Sequence, residues 1–337
     1  MKQYIEKCLS GQDLTVAEAE SALDLIMTNQ ATEAQIAGLL IALRAKGESI
    51  EELVGFARTM RAHSVRIRLD DHDAVDIVGT GGDGSGTFNI STVAAFVITG
   101  AGITVAKHGN RSVSSTCGSA DLLSELGVNT QLQQGAVEQC INETGLGFLF
   151  APLFHPAMKH AAKPRADLGV RTIFNMLGPI TNPAGVTRQV IGAFNMAAAG
   201  KLAGALSRLD TVCSSVVHNA EGLDEVGLSK PTHVYHVDGY SEVRESQLTA
   251  QDFGLPEVPL GAIRGGSREQ NARIAVSVLR GEAGPHRSVV VANAALGIRV
   301  AGKAAHLSDC VTMAVESIDS GRALQSLDRL REYTNKT

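Results

Sequence analysis

The spacing of apolar residues changes once along this chain, and that single change limits the folds open to it. Up to about residue 68 the pattern is helical throughout. Three hydroxyl residues each precede an acid or amide by three positions: Thr15 and Glu18, Thr32 and Gln35, Ser49 and Glu52. The hydroxyl can take the third helical amide while the longer side chain reaches back to the cap, so each pair marks a helix start. Behind the second pair Ile36, Leu39, Leu40 and Leu43 recur at helical spacing; behind the third, Leu53, Phe56, Ala57 and Met60 do. Such stripes bury one face of a helix. Residues 1–68 therefore predict a small all-helical N-terminal domain, and RLDDHD at 68–73 a polar linker.

Beyond the linker, short β-branched runs (AVDIVG, ITVAKHG, GFLFAP, RQVIGAF, SSVVHNA, HVYHVDG) alternate with helical segments such as 91–100, 119–126 and 197–209. That alternation predicts a large α/β domain over 74–337, with a mostly parallel central sheet flanked by helices. One segment breaks the rhythm. Residues 155–179 are helix-like, basic and polar, with Pro156 suited to a first helical position. The stretch near 155–182 reads as a return of the chain to the helical domain, which would gather ligand-binding residues at the junction of the two.

Composition sets outer bounds. The chain has 337 residues, 44% of them hydrophobic and 19% charged, enough to bury a substantial core. A net charge of −5 provides no global field for nucleic acid or an anionic membrane, so any anion site must be built locally. The N-terminus carries Glu6 and Lys7 and lacks the apolar run of a signal peptide. The weakly polar run 93–106 is too short and too rich in Gly and Thr to span a bilayer. Five cysteines, an odd number with no C-x-x-C, argue against disulfides and structural zinc and for the reducing cytoplasm.

The stretch DIVGTGGDGSGTFNIST, 76–92, holds five glycines within eight residues. Gly79, Gly81 and Gly84 match a dinucleotide fingerprint, but no acid follows about 20 residues on to take ribose hydroxyls. Gly81 and Gly86 have ATP-loop spacing, but Thr87 stands where a lysine is needed. A plain turn needs fewer glycines. Bare amides running into a helix start, with Asn89 or Ser91 as its cap, read as a phosphate cradle. Asp83 inside it would repel a pyrophosphate, so it predicts either a sugar hydroxyl or amine as its partner or a divalent cation nearby, with Thr87, Ser91 and Thr92 as neutral oxygens.

AKHGNRSVSSTCGSAD, 106–121, follows a strand, where open α/β sheets bind ligands. Lys107 and Arg111 bring charge, His108 and Asn110 directional hydrogen bonds, and Ser114, Ser115 and Ser119 contacts for phosphate oxygens. Asp224 and Glu225 are adjacent acids after another strand. They can serve one Mg²⁺ only on irregular backbone, which Gly222 and Gly227 permit. Lys159, Lys163, Arg165 and Arg171 form a basic run in which Arg165 suits a carboxylate clamp. The pairs His155 and His160, and His233 and His236, have the wrong spacing for shared metal.

These motifs together resemble the anthranilate phosphoribosyltransferase family over nearly the whole chain. The resemblance rests on GTGGD (79–83), FNIST (88–92), KHGNR (107–111), GSAD (118–121), HPAMKH (155–160), LGVRTIFNMLGPITNP (168–183) and GLDE (222–225). It implies transfer of phosphoribose from phosphoribosyl pyrophosphate to the amine of anthranilate, in a cytoplasmic homodimer of two-domain subunits. It implies that Gly79, Gly82, Asp83, Thr87, Asn89, Ser91, Thr92, Lys107 and Ser119 bind phosphoribosyl pyrophosphate and its metal. Gly79, His108, Asn110, Arg165 and Gly178 fall on the anthranilate side, and Lys107 and Arg165 carry the catalytic roles. Two Mg²⁺ per site are implied, with Ser91 a ligand of one and Asp224 and Glu225 of the second. Thr116 and Cys117 stand where the family has Lys-Ser, and Asn219 where Gly is commoner. A pyrimidine nucleoside phosphorylase of the same fold type is the nearest alternative, opposed by GLDE and LGPITNP. A nucleic-acid-binding relative would want a basic surface.

Overall fold

Four helices open the chain: α1 (Lys2–Leu9), α2 (Val16–Met27), α3 (Glu33–Lys46) and α4 (Ile50–Ala62). The computed structural model describes residues 1–111, 116–240 and 242–336. All three capping boxes are formed, each with both reciprocal hydrogen bonds. Glu52 does more than cap α4. Its fully buried carboxylate accepts from the Leu14 amide (2.9 Å), the Ser49 amide (2.8 Å) and the Lys46 ammonium (2.9 Å), tying three parts of the bundle together. The apolar stripes Ile36, Leu39, Leu40, Leu43 and Leu53, Phe56, Ala57 face one core.

That core is not closed by the bundle alone. Ala161, Ile173, Phe174, Leu177 and Ile180 from the segment after residue 155 are buried in it, as are Leu202 and Leu206 of the helix Met196–Leu206. The Arg61 side chain donates to the Ile180 carbonyl (2.9 Å), and Lys163 pairs with Glu33.

The rest of the chain builds a seven-stranded sheet: β1 (Val75–Gly79), β2 (Val105–Gly109), β3 (Leu146–Phe150), β4 (Arg188–Gly192), β5 (Cys213–Asn219), β6 (Thr232–Asp238) and β7 (Arg244–Leu248). The strand order is β3-β2-β1-β4-β5-β6-β7, with β1 to β5 mutually parallel and β6 and β7 antiparallel. The helix α5 (Ile90–Gly100) is buried along most of its length, as an element covered on all sides by sheet and helices must be. After β3 the chain crosses to the other side of β1, so a topological switch lies between β1 and β4, where ligand crevices form.

The two neighbours of β1 hold it differently. β1 pairs with β4 along its whole length, ending with Gly79 opposite Gly192. β1 pairs with β2 only at Val75 opposite Val105, and the backbone ladder between them stops beyond that point.

Some local expectations shift. Ala151 and Pro152, which close the strand-like run GFLFAP, instead open a helical turn, Ala151–Phe154, and the helix expected over 197–209 runs Met196–Leu206. β7 carries no strand signal in the sequence: RESQL has no apolar alternation, and four of its five residues are exposed. It forms because the free edge of β6 offers unpaired backbone groups. Among the described residues no helix is long and apolar enough to cross a membrane.

Candidate active site

The glycine loop leaves β1 at the switch point. Gly81, Gly82, Gly84 and Gly86 all have positive φ, between 66° and 75°, a conformation that strains other residues and turns successive amides the same way. Gly79 is required for a different reason. A Cβ there would lie 2.6 Å from the Asp224 carboxylate, and one on the opposing Gly192 would lie 1.5 Å from the Asp224 carbonyl oxygen. The acidic turn after β5 rests directly on these two bare strand ends.

The turn itself is irregular, with Gly222 at φ +94°, which lets neighbouring acids face the same region. Asp224 accepts from the Gly81 amide (2.7 Å), and Glu225 accepts from the Ser91 amide (3.1 Å) in the first turn of α5. Asp83 caps the Ser85 amide (3.0 Å) and also accepts from the Asp224 amide (3.4 Å). Three carboxylates thus gather around the cradle. Burial, reinforced by Asp83, pushes Asp224 up to about 7; burial, reinforced by Asp224, pushes Glu225 up to about 8. An oxygen-only donor set crowded by like charge suits Mg²⁺, so these residues fit such an ion.

Lys107 is buried beneath the cradle. Its ammonium donates to the Ile77 carbonyl (2.6 Å) and lies 3.5 Å from the Ser91 hydroxyl. Asn89 occupies the cap position of α5 but does not cap it. Its amide instead donates to the Cys117 carbonyl (2.9 Å) and its oxygen accepts from Asn271 (3.1 Å). Thr87 lies within reach of Ser85 (3.3 Å) and bridges to Arg264. Thr92, one residue beyond Ser91, is buried beside Lys107 and Phe148. Ser119 opens a helix and donates to the Asn110 carbonyl (3.1 Å), with Asn110 itself exposed. Ser114 and Ser115 lie outside the described residues.

Beside the cradle, His108 follows Lys107 on β2. Its Nδ1 is 3.2 Å from the Gly178 carbonyl, which can only accept, so Nδ1 carries the proton. Its Nε2 is then a bare acceptor, buried and without a partner. His155 sits 5.2 Å away, ring to ring, and its Nε2 is likewise buried and unpartnered. Burial holds His108 down at about 3, aided by His155, and His155 at about 4, so both are neutral. Arg165 stacks on Phe174 at 4.9 Å, and among the described residues it makes no ion pair. The sequence alone assigns His155 no binding role; HPAMKH is its only signal, and a histidine's burial cannot be seen in spacing. Arg171, in the sequence merely one of a basic run, stacks on Phe194 and donates to the Gly82 carbonyl, joining the return segment to the glycine loop.

An open depression of about 560 Å³ on the bundle, between Tyr4, Asp24, Arg58 and His63, shares no residue with this site.

A helical bundle on a switched parallel sheet, with a glycine cradle facing paired acids, is the architecture of a glycosyl transferase family: its helical bundle domain matches residues 2–64 and its a/b domain residues 71–324. A protein of Pelotomaculum thermopropionicum is 50% identical over 334 residues, covering 99% of this chain and 96% of that one, and is an anthranilate phosphoribosyltransferase. The Thermus thermophilus anthranilate phosphoribosyltransferase superposes with a TM-score of 0.93 at 41% identity, over 98% of this chain and 99% of that one. The Saccharomyces cerevisiae enzyme, in complex with phosphoribosyl pyrophosphate and Mg, superposes at 0.91 with 30% identity, over 99% and 98% of the two chains. The chain belongs to the anthranilate phosphoribosyltransferase family.

Proposed function

We propose that this chain transfers the 5-phosphoribosyl group from phosphoribosyl pyrophosphate to the amine of anthranilate, releasing pyrophosphate. The observation that carries this reading is the meeting at one switch point of an amide cradle, a buried lysine and three carboxylates, with an arginine on the return segment that makes no ion pair among the described residues. The cradle formed by Gly79, Gly82, Asp83, Thr87 and Asn89, with Ser91, Thr92, Lys107 and Ser119, takes the phosphoribosyl pyrophosphate. Ser91 would hold one Mg²⁺, and Asp224 with Glu225 a second. When bound, the divalent ion supplies positive charge against the pyrophosphate oxygens.

Lys107 and the loop amides meet charge that grows on the leaving group as the C1–O bond stretches. Aniline-type amines are weak nucleophiles, and neither nearby histidine is basic enough to take a proton from one. The bare Nε2 of His108 instead accepts a hydrogen bond from the amine and aims its lone pair. Arg165 clamps the anthranilate carboxylate, with Asn110, Gly178 and Gly79 lining the same side. Chemistry rests on a good leaving group and on orientation, with no covalent enzyme intermediate.

The division into a bundle (1–68), a sheet domain (74–337) and a shared segment near 155–182 makes 69–73 the hinge of closure over the substrates. The subunit pairs with a second copy in the cytoplasm. Exposed Leu9 and Ile41, on two contacting helices of the bundle, support such a face; a sedimentation mass of one subunit would exclude it. Loss of anthranilate fluorescence on mixing with phosphoribosyl pyrophosphate and Mg²⁺ tests the reaction. No loss, with phosphorolysis of thymidine or uridine in its place, would overturn it.

A further inference from the structure

β1 and β2 are joined by more than backbone. Beyond Val75 and Val105 the backbone ladder stops, and side chains fill the places of the missing bonds. The His108 amide, which a continuous ladder would give to a carbonyl of β1, is taken by the Asp76 carboxylate (3.2 Å). The Ile77 carbonyl, which would accept an amide of β2, accepts the Lys107 ammonium (2.6 Å). The Ala106 carbonyl accepts the side-chain amide of Asn182 (2.8 Å), and the same amide donates to the second oxygen of Asp76 (2.8 Å). Asp76 is fully buried and Asn182 nearly so.

The consequence reaches the acceptor pocket. Asn182 ends the segment whose Gly178 carbonyl fixes the tautomer of His108, and Gln189 of β4 holds the Pro179 carbonyl of that segment (2.8 Å). Burial raises the Asp76 carboxyl to about 6 against the pull of Lys107, Asn182 and the His108 amide, so at neutral pH it is the carboxylate that two donors require.

We propose that Asp76 is a positioning residue for the acceptor: bridging β1 and β2 where their backbone ladder stops, it locks His108 and the Gly178–Asn182 segment together as one wall of the anthranilate pocket. It touches neither substrate. The proposal rests on the reaction assigned above.

The test is a steady-state comparison of wild type, Asp76→Asn, Asn182→Ala and the double variant. Asp76→Asn turns an amide donor onto one of two donors, and Asn182→Ala removes the hook while keeping the carboxylate. Each is expected to raise the KM for anthranilate roughly tenfold, the effect of one unmet buried group. In Asn182→Ala the KM for phosphoribosyl pyrophosphate should move by less than about twofold. The double variant should be little worse than the worse single one, because both break the same link. If Asp76→Asn does not fold, Asn182→Ala decides alone. Equal rises in both KM values for Asn182→Ala, an unchanged anthranilate KM, or full additivity would overturn the proposal while leaving the reaction standing. A wild-type chain that does not consume anthranilate would overturn both.

Discussion

Arg165 is a half-buried guanidinium stacked on Phe174, with no carboxylate to meet it among the described residues, and burial depresses its pKa. A site of that kind awaits an acid from outside the protein. Arg165→Ala should raise the anthranilate KM by about one to two orders of magnitude, the worth of a charge-assisted pair, with phosphoribosyl pyrophosphate use nearly unchanged. Initial rates varying each substrate in turn would show it, and equal effects on both substrates would count against the clamp. The charged residues also make a pH prediction with a definite sign. Asp224 and Glu225 are raised to about 7 and about 8, so the folded protein holds protons that the unfolded chain has already released. Their effect is to lower stability as pH rises from about 4, where the unfolded chain ionises, to about 8, where the fold has ionised too. His108 and His155 are depressed, so they lower stability as pH falls below about 6.5, where the unfolded chain gains protons that the fold refuses. Below about pH 6.5 the two effects oppose each other, so thermal melts of the metal-free protein should decline from about pH 6.5 to about 8 and level off above it. Mg²⁺ with phosphoribosyl pyrophosphate should remove most of that decline. A flat profile between about pH 6.5 and 8 would contradict the crowding of these acids.

At the scale of elements, what is legible in the sequence is what is local. A capping box lies within four residues, so all three are visible there, and all three form. What Glu52 does beyond its box is not visible, because Leu14 and Lys46 reach it only once the bundle is folded. Glu52→Ala should therefore cost about 2 kcal/mol or more, since it leaves the buried Leu14 amide unmet and takes one of three partners from the Lys46 ammonium as well as a cap. Chemical denaturation measures this; a loss of about 1 kcal/mol or less, that of a cap alone, would show that the network is idle. The same division explains the site. Glycine clustering, the adjacent acids and the basic run are patterns along the chain. Asp76 and Asn182 acquire their partners from the interrupted pairing of two strands, and His155 its surroundings from burial, neither of which leaves a spacing to find. Asn219 is fully buried and ties Lys230 and Thr232 to the end of β5, anchoring the acidic turn from below. Thr116 similarly hooks the Gly266 carbonyl (2.8 Å).

Over the whole molecule, bundle and sheet are joined in two places of different character. On one side α4 packs on the helix Met196–Leu206, with Glu48 paired to Lys201 and Glu51 to Arg208. On the other, Arg44 of α3 holds the Arg171 carbonyl while the Arg171 side chain holds Gly82. The second contact runs through the substrate loop, so filling the loop should stiffen the junction. Phosphoribosyl pyrophosphate with Mg²⁺ at about a hundredfold over its dissociation constant should stabilise the chain by about 2.7 kcal/mol through binding alone. Arg171→Ala should lessen bundle protection in hydrogen exchange under those conditions. Equal protection in variant and wild type would mean that the halves respond independently.

Gly79 and Gly192 close two neighbouring strands at the same level, and the acidic turn lies across both. A side chain at either position would lift Asp224 away from the loop amide that it holds. Three sites far apart in the chain are thus bound to one another's fate. A lineage that gave up the acids could refill both strand ends, but one that kept them could alter neither, and the chance of new chemistry at this end of the sheet depends on all three changing together.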